Sequence, residues 1–300
     1  MRHKSINKAL DNWLSELKYG REYETLRCIR VNINRLIQYF DDDLSLITFE
    51  TYHNWLEWAS NKWKASTVHK THKTAKRLIK RLNLKDAKKI SNIRLKLPME
   101  KIETYSREEI GRILEWCNNQ NCDSWRSRCA AFLLIVSSSG MRGGEAVSLK
   151  WEDFDEKAAL FHLKNTKTKA SRFAAIHPKI IPYLIQYRQR INQRINYDSP
   201  HVFPSFINPG NAVQYTAVMN AIREEVSQEL KIKINAKKFR STLVKFVIES
   251  GAGYERAAAI VGHQDIGTTQ RHYHRISLNQ DALNAHALAL EGLGFDNISN

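Results

Sequence analysis

The sequence predicts a mainly α-helical protein with one small β-sheet, built as two domains. From Ile6 to about Leu84 the apolar residues recur at the three- and four-residue spacing of helices that bury one face, and strand-like alternation is absent. Farther on, Leu160–Leu163 and residues 173–176 form short strand patterns. Between the two regions, residues 95–106 show no period and carry Pro98. They end in Ser106-Arg-Glu-Glu109, a pattern that starts a helix by capping it. A chain of 300 residues is long enough for two domains with a core each.

Taken in order, Leu10, Trp13, Leu14 and Leu17 mark a first helix, and Leu26, Ile29, Ile33, Leu36 and Ile37 a second. Tyr52, Trp55 and Trp58 mark a third, and Thr67 begins a fourth. On a wheel of about 100° per residue, Val68, Ala75, Leu78, Ile79 and Leu82 fall on one side of that fourth helix. Lys70, Lys73, Arg77 and Lys80 fall on the other. Residues 1–95 therefore read as a four-helix domain with a basic ridge. Between Lys64 and Lys96 twelve Lys or Arg stand against one acid, Asp86. Solvated faces normally mix signs, so this one-signed run points to phosphate contacts.

Residues 96–105 read as a linker and residues 106–300 as the second domain. Helices are expected there at 107–118, 125–138, 178–195, 212–229, 236–250, 255–261 and 278–290. The second of these is nearly all apolar over residues 130–136, which places it inside the core. The two strand patterns flank a lysine-rich polar tip, residues 164–172, as a hairpin.

Lys plus Arg number 47 against 31 for Asp plus Glu, a formal charge of +16. Such an excess favours a polyanionic partner, either nucleic acid or an anionic membrane surface. No apolar run approaches the roughly 20 residues of a membrane span, and the N-terminus lacks the apolar core of a secretory signal, so a cytoplasmic protein is expected. Cys28, Cys117, Cys122 and Cys129 fit a reducing compartment. No second Cys/His pair joins Cys117 and Cys122 at zinc spacing, so the thiols read as structural.

Three clusters carry chemistry. Val261-Gly-His263 stands ten residues ahead of Tyr273, which lies among Arg271, His272, His274 and Arg275. A phenol of pKa about 10 attacks only when cations steady its phenolate and the group under attack, and this setting makes Tyr273 a candidate nucleophile. Arg142 follows a glycine turn, with Glu145 three residues on and hence on the same helical face, where its carboxylate can hold the guanidinium in one orientation. Lys237 and Arg240 share a side of another helix start. Two arginines from distant segments suit a tetrahedral phosphate, because each makes paired hydrogen bonds to its oxygens.

The order Gly-Met-Arg142-x-x-Glu145, hairpin Thr-Lys167-Thr, Lys237-x-x-Arg240, Gly-His263 and Tyr273 resembles the tyrosine recombinases, the phage integrase family, over residues 106–275. The resemblance implies a four-helix core-binding domain followed by a mixed α/β catalytic domain. It implies a site-specific recombinase of a phage or other mobile element that cleaves and rejoins double-stranded DNA through a 3′-phosphotyrosine. In it Arg142 and Arg240 clamp the scissile phosphate, Tyr273 attacks, Lys167 protonates the leaving 5′-hydroxyl, His263 hydrogen-bonds a phosphate oxygen and Glu145 supports the arginines. The position of Lys237 is most often His in the family. Lys169 shares the hairpin tip with Lys167, which is favoured by its Thr-Lys-Thr setting.

Preorganised cations suffice for this chemistry, so neither metal nor cofactor is expected, and the chain has no Walker-type phosphate loop. The resemblance further implies a homotetramer on paired sites. Ala282, Leu283, Ala285, Ala287, Leu288, Ala289 and Leu290 make residues 278–293 too apolar for a solvated tail. That helix either folds onto its own domain or docks on a neighbouring protomer, as in the family. A type IB topoisomerase-like strand transferase and a catalytically silent DNA-binding protein of the same fold are the alternatives.

Overall fold

A computed structural model of the chain describes residues 5–96, 102–119, 124–164 and 171–262. It divides into two compact units, Met1–Glu100 and Lys101–Asn300.

The first unit is helical. Ser5 caps α1 (Ile6–Leu17) by accepting from the Lys8 N–H, and α2 (Tyr23–Phe40) ends where Asp41 turns left-handed at φ 44°. Thr48 and Thr51 cap α3 (Phe49–Lys62) reciprocally. Then come α4 (Ala65–Arg81) and α5 (Ala87–Asn92), a short helix the apolar spacing does not reveal. Leu10, Ile33, Leu36, Trp55, Ala75 and Ile79 meet in one core, each large side chain contributing roughly 1.5–3 kcal/mol by leaving water. The two faces of α4 are those expected: Val68, Ala75, Leu78 and Ile79 are buried, while Lys70, Lys73, Arg77 and Lys80 are exposed. The Arg77 guanidinium lies over the Trp13 ring at 5.1 Å.

The second unit is built around α7 (Ser124–Ser139), whose residues 130–136 are all buried. Around it stand α6 (Arg107–Asn118), α8 (Gly143–Val147) and α9 (Ile181–Ile195). A helical run of α10 (Tyr215–Ala221), a π turn and α11 (Gln228–Leu230) follows. Last come α12 (Ala236–Val247) and α13 (Gly253–Val261), which pack on each other through Val244, Ile248, Ala257 and Val261. The sheet is antiparallel in the order β1 (Phe154–Asp155), β2 (Leu160–Leu163), β3 (Arg172–Ala175).

The fold is thus mainly α with one small sheet, and differs from expectation in detail. Strand β1 is too short to show a period. Strand β3 begins one residue early, because Arg172 pairs with Leu163 and is not part of the tip. Tyr105, from the stretch read as linker, is buried 4.7 Å from the Phe239 ring centre and donates its backbone N–H to Thr242 Oγ1 at 2.8 Å. Hairpin-tip residues 165–170 and the terminal segment 278–293 lie outside the described residues. Among those described, no helix is long and apolar enough to cross a membrane.

The first unit carries a buried polar latch. The Tyr52 hydroxyl meets His72 Nδ1 at 2.9 Å and His72 Nε2 meets the Ile93 carbonyl at 3.2 Å. That partner set fits a neutral ring, with Nε2–H donating and Nδ1 accepting. Burial, aided by the nearby charges of Lys76 and His69, lowers the His72 pKa to about 4. The unfolded chain takes up a proton below about pH 6.5 that the folded chain refuses. The stabilising neutral network is therefore present above that pH and is lost as pH falls toward 4. Melting of the full chain should lose about 3 kcal/mol across this window in the wild type beyond the loss in His72→Gln, whose amide keeps both bonds without titrating; identical pH profiles for the two would contradict it.

Candidate active site

At the end of α7 the hydroxyls of Ser138 and Ser139 donate back to the carbonyls of Leu134 and Ile135 at 2.8 and 2.6 Å. Gly140, at φ 61°, then turns the chain. A Cβ on Gly140 would stand 2.9 Å from Leu243 Cδ2 and 3.0 Å from Val261 Cγ1, so the backbone is pressed against α12 and α13. That closeness lets Arg240, one turn into α12 and only 8% exposed, donate Nη1–H to the Gly140 carbonyl at 2.9 Å.

Arg142 follows two residues on as the N-cap of α8. Its backbone N–H donates to Glu145 Oε2 at 2.9 Å and its Nη1–H to Oε1 at 2.7 Å. One carboxylate thus fixes both the cap and the guanidinium, which stays 35% exposed and open to a ligand. Burial alone would raise the Glu145 pKa. Hydrogen bonds from Arg142 and the charges of Arg172 and Arg142 more than offset it and hold the carboxyl below its ordinary range.

The structure therefore brings three of the sequence-selected residues, Arg142, Glu145 and Arg240, to one glycine turn. Lys237 lies one turn before Arg240 on the same helix with its side chain exposed. Asn235 caps that helix by accepting from the Lys237 N–H at 2.9 Å. Lys167, Lys169, His263 and Tyr273 lie outside the described residues. The ridge of Lys70, Lys73, Arg77 and Lys80 belongs to the other unit. Cys28 is exposed, and Cys117 and Cys129 are buried; burial first, then the neighbouring Cys129, pushes the Cys117 pKa far up, as suits a structural thiol.

The sequence reading missed Arg172. From β3 its Nη2–H donates to Glu145 Oε2 at 2.9 Å, with a side chain 14% exposed. Its only sequence signal is that it closes the polar tip, where it reads as one more surface cation.

In this helical unit the small sheet and the cap after the glycine turn bring Arg172 and Arg142 onto one buried glutamate. Residues 103–279 match the model of the phage integrase family, and the chain belongs to that family, the tyrosine recombinases. It is 25% identical over 243 residues to tyrosine recombinase XerD of Rickettsia bellii, covering 76% of this chain and 79% of that one. Over 148 residues it is 28% identical to XerC of Xanthomonas axonopodis, covering 49% and 47% of the two chains. A probable integrase/recombinase of Acholeplasma phage L2 is 22% identical, with 56% of each chain covered. The chain thus spans about half the length of these last two relatives. Its fold matches XerH recombinase in a post-cleavage complex with palindromic difH substrate at TM-score 0.71, 16% identity and coverage of 94% and 84%. It matches a lambda integrase dimer on a COC′ core site at 0.67, 14% identity and coverage of 89% and 77%.

The packing at Gly140 is directly testable. Gly140→Ala places a side chain in the left-handed region and against Leu243 and Val261, which should cost roughly 2–4 kcal/mol. Gly144→Ala, in α8 with no atom within 4 Å of the new Cβ, should be neutral or stabilising by up to about 1 kcal/mol. Equal unfolding midpoints in denaturant for the two variants would rule out the close approach.

Proposed function

We propose that the chain is a site-specific DNA recombinase that cuts and rejoins duplex DNA through a 3′-phosphotyrosine, serving as the integrase of a phage or other mobile element. The observation that carries this reading is the pair Arg142 and Arg240 at the Gly140 turn, one fixed by Glu145 and the other by the Gly140 carbonyl. Attack on a phosphodiester adds negative charge at phosphorus, and cations already held in place stabilise it without reorganising. Guanidiniums suit this role because each offers two donors to two oxygens.

In the proposed scheme Tyr273 attacks the scissile phosphorus and gives up its phenol proton to solvent. The 5′-oxygen departs with a proton from Lys167, and His263 and Lys237 contact phosphate oxygens. The phosphotyrosine keeps the energy of the phosphodiester, so a 5′-hydroxyl of another strand reverses the step without a nucleotide cofactor. The exposed ridge of Lys70, Lys73, Arg77 and Lys80 supports DNA binding through the backbone, which is sequence-blind and salt-sensitive. Structures of similar fold named as XerH and lambda integrase complexes with DNA, and as a lambda integrase tetramer on a Holliday junction, support a duplex partner and a tetramer on paired sites. In this reading residues 1–95 are the core-binding domain and residues 106–300 the catalytic domain.

Tyr273→Phe should bind DNA about as tightly as the wild type and form no covalent adduct on nicked suicide duplexes drawn from the DNA flanking the gene. An adduct in this variant would move the nucleophile elsewhere, Tyr254 being the next candidate. For the leaving group, a 5′-bridging phosphorothiolate, whose sulfur departs without a proton, should rescue Lys167→Ala; rescue of Lys169→Ala alone would exchange the two lysines. Removing the chain after Ser277 should keep half-site binding and eliminate higher-order complexes. Synapsis at the wild-type rate by that truncated protein would disprove docking of the terminal helix on a neighbour, and its unfolding would assign the helix to its own core.

A further inference from the structure

Glu145 has two oxygens and three donors on them. Arg142 takes Oε1 through its guanidinium and Oε2 through its backbone, and Arg172 takes Oε2 at 2.9 Å from the other side. With Arg172 removed, the carboxylate's remaining hydrogen-bond donors among the described residues belong to Arg142, the cap of its own short helix.

Arg172 also meets a third element. Gly262 closes α13 at φ 70°, its N–H donating to the carbonyls of Ala258 and Ala259. A Cβ on Gly262 would fall 2.4 Å from Arg172 Cδ and 2.6 Å from Nε. The glycine is therefore required twice, once for the left-handed turn and once because the Arg172 side chain fills the place of its Cβ. The cation also lies where the last carbonyls of α13 concentrate partial negative charge. Among the described residues Nε and Nη1 of Arg172 have no hydrogen-bond partner, so Glu145 is the acceptor that anchors it.

We infer that Arg172 is a positioning residue that locks the Glu145 carboxylate, and through it Arg142, to the end of α13 at Gly262. This rests on the proposed recombinase reading, in which Arg172 acts by keeping the Arg142 fork aimed and by setting the turn from which the Gly-His263 segment continues. Lys in its place would keep the charge and lose the planar fork that reaches Glu145 while packing under Gly262.

The test measures half-site affinity, single-turnover adduct formation at saturating protein, and melting for Arg172→Met, Arg172→Lys, Glu145→Gln, Gly262→Ala and the double variant Arg172→Met with Glu145→Gln. The substrates are nicked suicide duplexes from the DNA flanking the gene. Arg172→Met should slow adduct formation about 10–100-fold, the effect typical of removing a group that orients a site residue, with affinity changed less than about threefold. Arg172→Lys should recover part of the rate. In the double variant the losses should fall well short of multiplying, because both pass through one contact. Should Arg172→Met fail to fold, Arg172→Lys and Gly262→Ala carry the same expectation of a slowed rate at unchanged affinity.

A folded Arg172 variant with the wild-type rate, or losses that multiply fully, would overturn the inference while leaving the recombinase reading intact. No adduct from the wild type on any of the duplexes would overturn that reading, and this inference with it.

Discussion

A buried carboxylate has to be neutralised, and the second unit is arranged around that constraint at Glu145. Its side chain is 7% exposed, and an ionised group so placed is tolerated only with charge and hydrogen bonds around it. Arg142 and Arg172 supply both, the first from the same capped turn and the second from the sheet. The turn itself exists because Gly140 adopts a left-handed conformation and lets the backbone lie against α12 and α13. Arg240 then reaches the Gly140 carbonyl. The two arginines are thus held by different anchors, a carboxylate and a carbonyl, so neither depends on a ligand for its orientation. Such preorganisation is what a site needs if it is to favour a transition state over a ground state.

The two units hold their cations in different settings. Lys70, Lys73, Arg77 and Lys80 of α4 are exposed and lie opposite a buried face of mixed character, on which Val68, Ala75, Leu78 and Ile79 stand beside Thr71, His72 and Thr74. Arg142, Arg172 and Arg240 of the second unit are instead partly or wholly buried and individually fixed. The excess of +16 therefore includes both exposed cations and buried ones held by fixed partners.

Much of this was legible in the sequence because it depends on short-range order. The helices of α1 to α4, α6, α7 and α9 follow from apolar spacing, and the Ser106 cap places the start of α6. Arg142 and Glu145 meet because residues three apart on a helix start are neighbours. What was not legible depends on contacts across long separations. The Arg240 bond to Gly140 spans a hundred residues. Arg172 reaches Glu145 over twenty-seven, and as a charged residue after a lysine-rich tip it carries no mark of burial. The β1 strand has two residues, too few for alternation to register. The His72 latch depends on Tyr52 and on the Ile93 carbonyl, neither adjacent to it in sequence.

The central claim is that Arg142 and Arg240 stabilise charge on a phosphate under attack. It is tested most directly by comparing adduct formation on an ordinary scissile phosphodiester with that on a methylphosphonate, in which a methyl group replaces one non-bridging oxygen and removes its charge. On the phosphodiester, Arg142→Ala and Arg240→Ala should each lose about 10²–10³-fold, as for loss of one preorganised donor at a developing anion. On the methylphosphonate the same variants should lose less than about tenfold, since there is less charge to offset. An equal loss on both substrates would contradict the account and reduce the two arginines to structural cations.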